Sequence, residues 1–395
     1  MVIFKNANYG NFLFETKDKR IICYGAGGTM RDFLKNNRAH ISVLNKIDYI
    51  LDRDRAKSGS SAAVGLKDVP IMTVEELTAL DASFSEYVII LCLADKFVLD
   101  ALSDLDRISI FNGLACYYGI SALSWSREHF VPAPSGKSAL PSCKIKYDIP
   151  KVIHYTWFGE RSFGEIEREC IESWGKACPD FELKLWNEEN YDISEMPLYA
   201  RQAHEAKKYA FVSDYARLDI VYRYGGFYLD TDVLLFRSLE DFKDYKAVFG
   251  YLPYNEINSG LGFGSVAGNV DLFWQMSIYE NVLFVNDGEL NLTPCPEYTT
   301  DYFRSKGIDI DNRLKLVDGT LFLPSDFLCS LMPVVSGNGM WYLPLYELTE
   351  NSYAIHMCTS TWFNVDMLST FDSAKNNLAG INSRLLADWK REHFA

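Results

Sequence analysis

The N-terminal third of the chain alternates short apolar runs with segments of helical spacing. Apolar runs occupy 20–24, 47–51 and 87–93, and apolar residues recur at helical intervals over 29–36 and 97–105. Strands that alternate with helices in this way are typical of a parallel sheet with crossover connections. The pattern therefore predicts an α/β fold for this part of the chain.

A glycine-rich turn follows the first apolar run, and an acidic residue follows the second. The turn is Gly25-Ala-Gly27-Gly28, and the acid is Asp52. In dinucleotide-binding domains such a turn brings a helix N-terminus to the phosphates, and the acid binds a ribose hydroxyl. The third glycine of that fingerprint is replaced here by Met30. We predict a Rossmann-like domain that serves structure, docking or oligomerisation, and binding of a nucleotide or nucleotide-sugar stays open as an alternative.

Charge is distributed unevenly along the chain. The sequence has 39 basic and 53 acidic residues, a net charge of −14. Residues 1–125 carry 14 basic and 15 acidic residues, a net of −1, which leaves −13 for residues 126–395. An acidic chain without a basic tail is a poor match for nucleic acid, because that affinity comes from Lys and Arg on phosphates. We expect two domains with different roles and no nucleic-acid partner.

Apolar segments and cysteines indicate the compartment. The longest apolar stretch, Tyr87–Ala94, has 8 residues, whereas about 20 are needed to span a bilayer. The first twenty residues lack the apolar core of a signal peptide. Nine cysteines are scattered along the chain with no C-x-x-C pair, which argues against a zinc ribbon or a disulfide framework. We therefore expect a cytoplasmic protein with reduced thiols and no transmembrane segment.

The remainder of the chain divides into a linker and a second α/β domain. A stretch rich in Pro, Ser and Gly indicates a linker over 126–148, so the predicted domains are 1–125 and 149–395. The first elements predicted in the second domain are a strand at 150–159, a helix around 170–174, a strand at 181–186, a helix over 203–224 and a strand at 227–236.

A pair of carboxylates, Asp230 and Asp232, lies in the last of these predicted strands, directly after Gly225-Gly226. Side chains at positions i and i+2 of a strand point to the same face, so both can converge on one cation. Carboxylate oxygens suit Mg²⁺ or Mn²⁺. A bare D-x-D pattern is frequent by chance, and two solvated acids at a strand end are the alternative.

The preceding helix presents Ser213, Asp214 and Arg217 on one side, because these residues fall at i, i+1 and i+4. The double glycine would bring that side close to the carboxylate pair. Arg217 can donate to a phosphate or pair with Asp214. We assign Asp219 to the surface.

A sugar-nucleotide diphosphate explains why such acids would need a metal. Two like charges about 4 Å apart repel by about 4 kcal/mol at an effective dielectric constant of 20. A divalent cation between carboxylates and diphosphate turns this repulsion into attraction and stabilises charge on the leaving group. An acidic site for an acidic substrate therefore requires the metal.

Residues 150–236 resemble glycosyltransferase family 32, a group of DXD-type sugar transferases. The family includes capsular-polysaccharide enzymes, fungal mannosyltransferases and, more distantly, clostridial toxin glucosyltransferases. The stretches that carry the resemblance are 149–159, 206–217 and 224–233, with a looser match at 354–362. The resemblance implies a GT-A-type fold and transfer of a hexose, with retention, from a nucleotide-diphosphate sugar. A UDP-sugar donor is favoured, a GDP-sugar is possible, and the implied cofactor is Mn²⁺ or Mg²⁺.

The resemblance also implies roles for individual residues. Trp157 would stack on the base, and Asp214 and Arg217 would hold sugar hydroxyls and phosphate. Asp230 would contact ribose and sugar, while Asp232 would bind the metal.

Three further residues outside 150–236 also match the family. His356 matches a histidine near metal and diphosphate, although Met357 and Cys358 stand where bacterial members often have a second His and a Trp. Trp362 matches a closing aromatic residue, and Asn258 an active-site amide, with a loop cap as its alternative. The predicted catalytic residues are Asp214, Arg217, Asp230 and Asn258; the nucleotide-sugar-binding residues are Thr156, Trp157, Ser213, Asp214, Arg217, Tyr228, Asp230 and Trp362; and the metal ligands are Asp232, Asp230 and His356.

The sequence identifies no nucleophile for a retaining reaction. Front-face substitution, with the leaving phosphate as base, needs none, whereas a double displacement would need a carboxylate below the anomeric carbon that the sequence does not identify. A phosphatase of the haloacid dehalogenase type would need a later Gly-Asp pair, which is absent, and an oxidoreductase lacks a catalytic set. A toxin-like transferase that modifies a protein and a non-catalytic nucleotide-sugar or glycan-binding protein remain alternatives.

The expected acceptor is a glycan or a lipid-linked oligosaccharide of capsular or cell-surface polysaccharide. The helical segment 378–394 is expected to pack against the second domain, and peripheral contact with the inner face of the membrane is its alternative.

Overall fold

The computed structural model describes residues 1–6, 9–36, 41–65, 67–80, 82–118, 133–253, 256–286, 288–336, 339–357 and 372–394. The chain forms two compact units. The first comprises the described residues of Met1–His129, Leu331–Glu350 and Asn364–Ala395, and the second those of Phe130–Ser330 and Asn351–Phe363. The two units do not follow the predicted domains 1–125, 126–148 and 149–395, because two C-terminal segments belong to the first unit. These domain boundaries stay a prediction.

The first unit is built on a seven-stranded sheet within the described residues. Its N-terminal elements are β1 (Ile3–Asn6), α1 (Tyr9–Glu15), β2 (Arg20–Tyr24), α2 (Gly28–Asn36), α3 (Ile41–Leu44), β3 (Ile47–Leu51), β4 (Ser61–Val64), β5 (Lys67–Met72), α4 (Val74–Thr78), β6 (Tyr87–Leu91), α5 (Val98–Asp106) and β7 (Ala115–Tyr118). The strand order is β1-β7-β6-β2-β3-β5-β4. All neighbours are parallel except β4 and β5, which confirms the predicted α/β class.

The glycine turn after β2 is required by the backbone. Gly25 has φ +106°, and a Cβ there would lie 2.6 Å from the carbonyl oxygen of Cys92. Asp52, the candidate ribose-binding acid, instead accepts a hydrogen bond from the backbone N–H of Ala26 at 2.7 Å and pairs with Lys57 at 2.8 Å. This carboxylate therefore holds the turn itself in place.

The second unit contains a mixed sheet with helices packed on it. Its elements are β8 (Val152–Thr156), α6 (Glu165–Ala177), β9 (Glu182–Trp186), α7 (Leu198–Glu205), α8 (Tyr209–Tyr224), β10 (Gly226–Tyr228), β11 (Val233–Leu235), β12 (Ala247–Leu252), β13 (Glu256–Asn258), β14 (Phe263–Ser265), α9 (Val270–Glu280), β15 (Val285–Asn286), β16 (Glu289–Leu290), α10 (Cys295–Ser305), β17 (Lys315–Val317), β18 (Thr320–Leu323) and α11 (Ser325–Leu328). The strand order is β17-β18-β12-β14-β10-β8-β9, with β13 on β12. Strands β10, β8 and β9 are parallel, which agrees with the α/β class predicted for this domain.

The predicted helix over 203–224 is two helices, α7 and α8. The chain breaks between them at Lys207, which has φ +56°, a conformation that ends a helix. Helix α8 is buried on most of its circumference, as expected for a helix in the middle of a domain. It ends where predicted, at Gly225, which has φ +66°.

The C-terminal part of the chain contributes to both units. A hairpin of β19 (Leu331–Ser336) and β20 (Gly339–Tyr346) belongs to the first unit, and β21 (Ala354–His356) returns to the second, where it pairs with β11. Helix α12 (Asp372–Phe394) then lies in the first unit.

Helix α12 buries Ile381, Leu385 and Trp389 within the first unit. Its Asp388 carboxylate accepts a hydrogen bond from the backbone N–H of Phe4 at 2.7 Å. The predicted helix therefore packs through its apolar face, as expected, but on the first unit and not on the second. Among the described residues, no helix combines the length and the apolar character needed to cross a membrane.

Candidate active site

Arg217 is the centre of a buried polar cluster. It lies one turn after Ser213 on α8, and its Nε donates to the Ser213 carbonyl oxygen at 3.0 Å. Its Nη2 lies 3.0 Å from Asp214 and 3.3 Å from Asp230, and the side chain is only 4% exposed. The guanidinium also stacks over the ring of Tyr228, 5.0 Å from its centroid. The structure thus brings together Asp214 and Arg217, which the sequence placed on one side of a helix, and Asp230, which it placed on the following strand.

Hydrogen-bonded hydroxyl groups extend the cluster towards β8. The Tyr228 hydroxyl donates to Asp230 at 3.0 Å and lies 2.8 Å from Thr156 Oγ1. Thr156 donates to Ser213 Oγ at 2.9 Å, and Ser213 donates to the carbonyl oxygen of Tyr209 at 3.1 Å. Thr156, Ser213 and Tyr228 therefore orient Asp230, in addition to any contact they make with a ligand.

The D-x-D pair lies in a turn and not within a strand, which corrects the sequence-based interpretation. Strand β10 ends at Tyr228 and β11 begins at Val233, and the N–H of Val233 donates to the carbonyl oxygen of Asp230 at 3.0 Å. The two strands belong to different sheets, so the chain has to turn between them. The carboxylates converge because of this turn and not because of strand alternation.

Strand β21 brings His356 to the turn. Val233 pairs with His356 in the two-stranded sheet, and His356 Nε2 lies 3.1 Å from Asp232 Oδ1. One ligand atom from each of Asp230, Asp232 and His356 lies within 4.8 Å of the others. Two carboxylate oxygens and an imidazole nitrogen at this separation fit a small divalent cation such as Mn²⁺ or Mg²⁺ that keeps other positions for substrate and water. These three residues would hold the metal that the D-x-D pattern predicts.

The pKa values of Asp214 and Asp230 are both raised, because burial outweighs the opposing charge of Arg217. Burial raises the pKa of Asp214 to about 6, although the Arg217 charge lowers it and the Asp230 charge adds to the increase. Burial also raises the pKa of Asp230, against the charge of Arg217 and with the charge of Asp232. A cation at the turn would favour the ionised form of Asp230 and so reverse this increase.

Asn258 caps a tight loop beside the cluster. Its Oδ1 accepts a hydrogen bond from the N–H of Gly260 at 2.7 Å, which is the loop-cap role considered for this residue. The carbonyl oxygen of Gly260 in turn accepts from the N–H of Asp230 at 3.2 Å. Asn258 is buried, and Gly260 links it to Arg217 and Asp230. A catalytic role for Asn258 stays a prediction.

The predicted aromatic ligands of the nucleotide have different outcomes. Trp157 is half-buried at the end of β8, where its Nε1 donates to the carbonyl oxygen of Arg161 and its ring lies 4.6 Å from that of Phe163. Base stacking by Trp157 stays a prediction. Trp362 lies outside the described residues.

Two polar residues in this unit have structural partners. Asp219 is buried, which corrects its assignment to the surface, because it accepts from the Tyr191 hydroxyl and pairs with Arg223 at 2.8 Å. His154 is buried between the Gly225 carbonyl oxygen at 2.9 Å and Trp186 Nε1 at 3.1 Å. Burial lowers the pKa of His154 to about 4, so this imidazole stays neutral.

Sequence reasoning missed Cys295 and Gly260. Cys295 begins α10, and its Sγ accepts a hydrogen bond from Arg217 Nη1 at 3.4 Å. A Cβ at Gly260 would lie 2.6 Å from Arg217 Nη1 and closer still to Asp230 Oδ2. No local pattern marks either residue, because both approach the cluster from segments distant in sequence.

Comparison with known proteins agrees with this geometry. Residues 164–249 match the family described as a glycosyltransferase sugar-binding region containing a DXD motif. This part of the chain is therefore similar to a DXD-type glycosyltransferase sugar-binding region. This region includes Asp214, Arg217, Asp230 and Asp232, whereas His356 and Cys295 lie outside it. The predicted resemblance to DXD-type sugar transferases is confirmed.

Individual relatives cover the sugar-binding region only in part. The chain is 32% identical over 123 residues to inositol phosphoceramide mannosyltransferase 3 of Schizosaccharomyces pombe (strain 972 / ATCC 24843), a match over 29% of this chain and 33% of that protein. The chain thus spans about a third of this relative's length. Among solved structures, PaToxG Glycosyltransferase aligns with 41% of this chain and 71% of its own at 17% identity and a TM-score of 0.34.

Proposed function

We propose that this protein is a metal-dependent, retaining glycosyltransferase that moves a hexose from a nucleotide-diphosphate sugar to a glycan acceptor. The observation that supports it most is the convergence of Asp230, Asp232 and His356 within 4.8 Å of one another, directly beside the buried Arg217. Together these groups supply both a cation site and a fixed positive charge, which a diphosphate leaving group needs.

Each part of the cluster has a role in this proposal. Bound by Asp230, Asp232 and His356, a divalent cation would neutralise the diphosphate and stabilise the charge that builds on the leaving group. Arg217 donates to phosphate or sugar oxygen, and Asp214 accepts from a sugar hydroxyl. The acceptor oxygen bonds to the anomeric carbon as the bond to the phosphate oxygen breaks. Its proton passes to the leaving phosphate on the same face, so the configuration is retained.

Donor and acceptor are proposed more broadly. A UDP-sugar is the favoured donor, and GDP-mannose belongs beside it because the relative is named a mannosyltransferase. That relative's name also specifies a sphingolipid acceptor, which supports a lipid-linked oligosaccharide or glycan as acceptor here. We infer a role in capsular or cell-surface polysaccharide synthesis in the cytoplasm.

The test is turnover of the full chain with a panel of UDP- and GDP-sugars in Mn²⁺ or Mg²⁺. We expect donor hydrolysis or transfer with one donor, its loss in EDTA, and its restoration by Mn²⁺. Asp232→Asn should lower metal-dependent kcat at least about 100-fold, because one metal ligand loses its charge. The exposed Asp301→Asn is the matched control and should retain wild-type turnover.

Two outcomes would contradict the proposal. Full metal-dependent turnover in Asp232→Asn would show that the cation binds elsewhere. Manganese-dependent nucleotide binding without turnover of any donor would favour the non-catalytic binding protein.

A further inference from the structure

We propose that Cys295 is a positioning residue that fixes the guanidinium of Arg217 in the orientation required for sugar transfer. This inference rests on the proposed function, because Arg217 is the group that would contact the donor. Cys295 is buried at the first position of α10, and it lies 78 positions after Arg217 in the chain. It belongs neither to the matched sugar-binding region nor to the predicted metal ligands.

The hydrogen bonds of Arg217 explain why a further anchor matters. Nε is bonded to the Ser213 carbonyl oxygen, and Nη2 lies between Asp214 and Asp230. Nη1 carries the remaining two N–H groups, and one of them is bonded to Cys295 Sγ at 3.4 Å. The other N–H of Nη1 can donate to a sugar or phosphate oxygen. Its direction depends on how the Nη1 end is held.

The surroundings of the thiol restrict its role to positioning. Sγ lies 3.8 Å from Asn258 Oδ1, and the side chain is only 7% exposed. Burial raises the pKa of Cys295, so the sulfur stays a neutral thiol that accepts from the guanidinium. A buried neutral thiol is a poor nucleophile, and this sulfur acts through Arg217.

Substitutions at this position separate hydrogen bonding from volume. Cys295→Ser keeps a polar atom that accepts from Nη1, whereas Cys295→Val fills the space without one, and Cys295→Ala does neither. In Cys295→Val and Cys295→Ala, Nη1 loses a buried hydrogen-bond acceptor. The guanidinium can then rotate away from the bound nucleotide sugar. A displacement of about 1 Å at such a group can lower the rate about 100-fold.

The first experiment measures kcat and KM for the full chain with its donor and Mn²⁺. We expect kcat to fall about 10- to 100-fold in Cys295→Ala and Cys295→Val, with KM within about threefold, and Cys295→Ser to recover to within about fivefold of wild type. Cys178→Ala is the matched control, since that buried thiol in the same unit accepts from the Leu239 N–H at 3.4 Å away from the cluster. Its kcat should stay unchanged.

The second experiment observes Arg217 directly and needs no turnover. In the full chain labelled with ¹⁵N-arginine, slow rotation about the Cζ–Nε bond should give separate Nη signals for Arg217, assigned by their absence in Arg217→Lys. We expect separate signals in wild type and Cys295→Ser, and averaged signals in Cys295→Ala and Cys295→Val.

The two experiments together decide the proposal. Unchanged kcat and unchanged Arg217 signals in the alanine and valine variants would overturn it. Equal losses of kcat in Cys178→Ala and Cys295→Ala would also overturn it, because the effect would then be general destabilisation. If the alanine variant does not fold, the serine and valine pair gives the same comparison. If wild type turns over no donor, the proposed function fails, and the Arg217 signals alone decide the role of Cys295.

Discussion

Gly260 illustrates how closely the main chain approaches the buried polar cluster around Arg217. A Cβ at this position would lie 2.6 Å from Arg217 Nη1 and would also collide with Asp230. We predict that Gly260→Ala lowers kcat at least about 10-fold, because both side chains must move. Steady-state kinetics would measure this loss, with Gly175→Ala as control, since a Cβ at Gly175 meets nothing within 4 Å. Equal kcat in the two variants would show that the loop yields without moving the cluster.

His154 predicts a pH dependence of stability. Burial lowers its pKa from 6.5 to about 4 in the folded protein, so the unfolded chain binds the extra proton between these values. Its contribution is fully present above about pH 6.5 and is lost as the pH falls towards 4. We expect up to about 3 kcal/mol of unfolding free energy from this one group.

The measurement is urea unfolding of the full chain at pH 7 and pH 4.5, in which the transition of the second unit is followed. His154→Gln keeps a donor for Gly225 and an acceptor for Trp186 but has no charge to gain. Its unfolding free energy should fall less than that of wild type over the same interval. Parallel curves for the two proteins would show that other groups cause the acid sensitivity.

At the scale of elements, α12 is tied to the first unit by buried ionic contacts. Asp388 is 1% exposed, accepts from the Phe4 N–H, and pairs with Arg384 at 3.0 Å; Arg384 also pairs with Asp106 at 2.7 Å. We predict that Asp388→Ala destabilises the first unit by about 3 kcal/mol, because the buried N–H of Phe4 loses its acceptor and Arg384 loses one of its two carboxylate partners. Calorimetry should show a lower transition temperature, which the exposed Glu86→Ala control should not share.

Two elements show where the sequence was sufficient and where it was not. The end of α8 could be predicted, since Gly225 takes a conformation that other residues rarely adopt. The turn at Asp230–Asp232 could not, because apolar residues flank the pair on both sides and periodicity alone reads them as one strand. The change of sheet between β10 and β11 depends on β21, which lies over 100 residues later.

At the scale of the whole molecule, two units with separate cores predict separate responses to ligands. Mn²⁺ with UDP or GDP should stabilise the second unit alone, by about 2.7 kcal/mol at a nucleotide concentration 100 times Kd. Calorimetry should show an increase in one transition temperature, its reversal by EDTA, and no increase in Asp232→Asn. The transition that Asp388→Ala lowers identifies the first unit, and an equal ligand shift of that transition would contradict the assignment.

The sequence by itself determined the α/β class, the strands near residues 20, 47 and 87, and the grouping of Ser213, Asp214 and Arg217, because these depend on local periodicity and composition. It also identified Asp230 and Asp232 as candidate metal ligands. Only the tertiary structure placed Cys295, Gly260 and α12. Their positions result from pairing and packing between segments far apart in the chain, which leave no local pattern. The acidity of the second half becomes a candidate site only where the fold sets two of its acids, Asp214 and Asp230, around one buried arginine and brings Asp232 to His356 beside them.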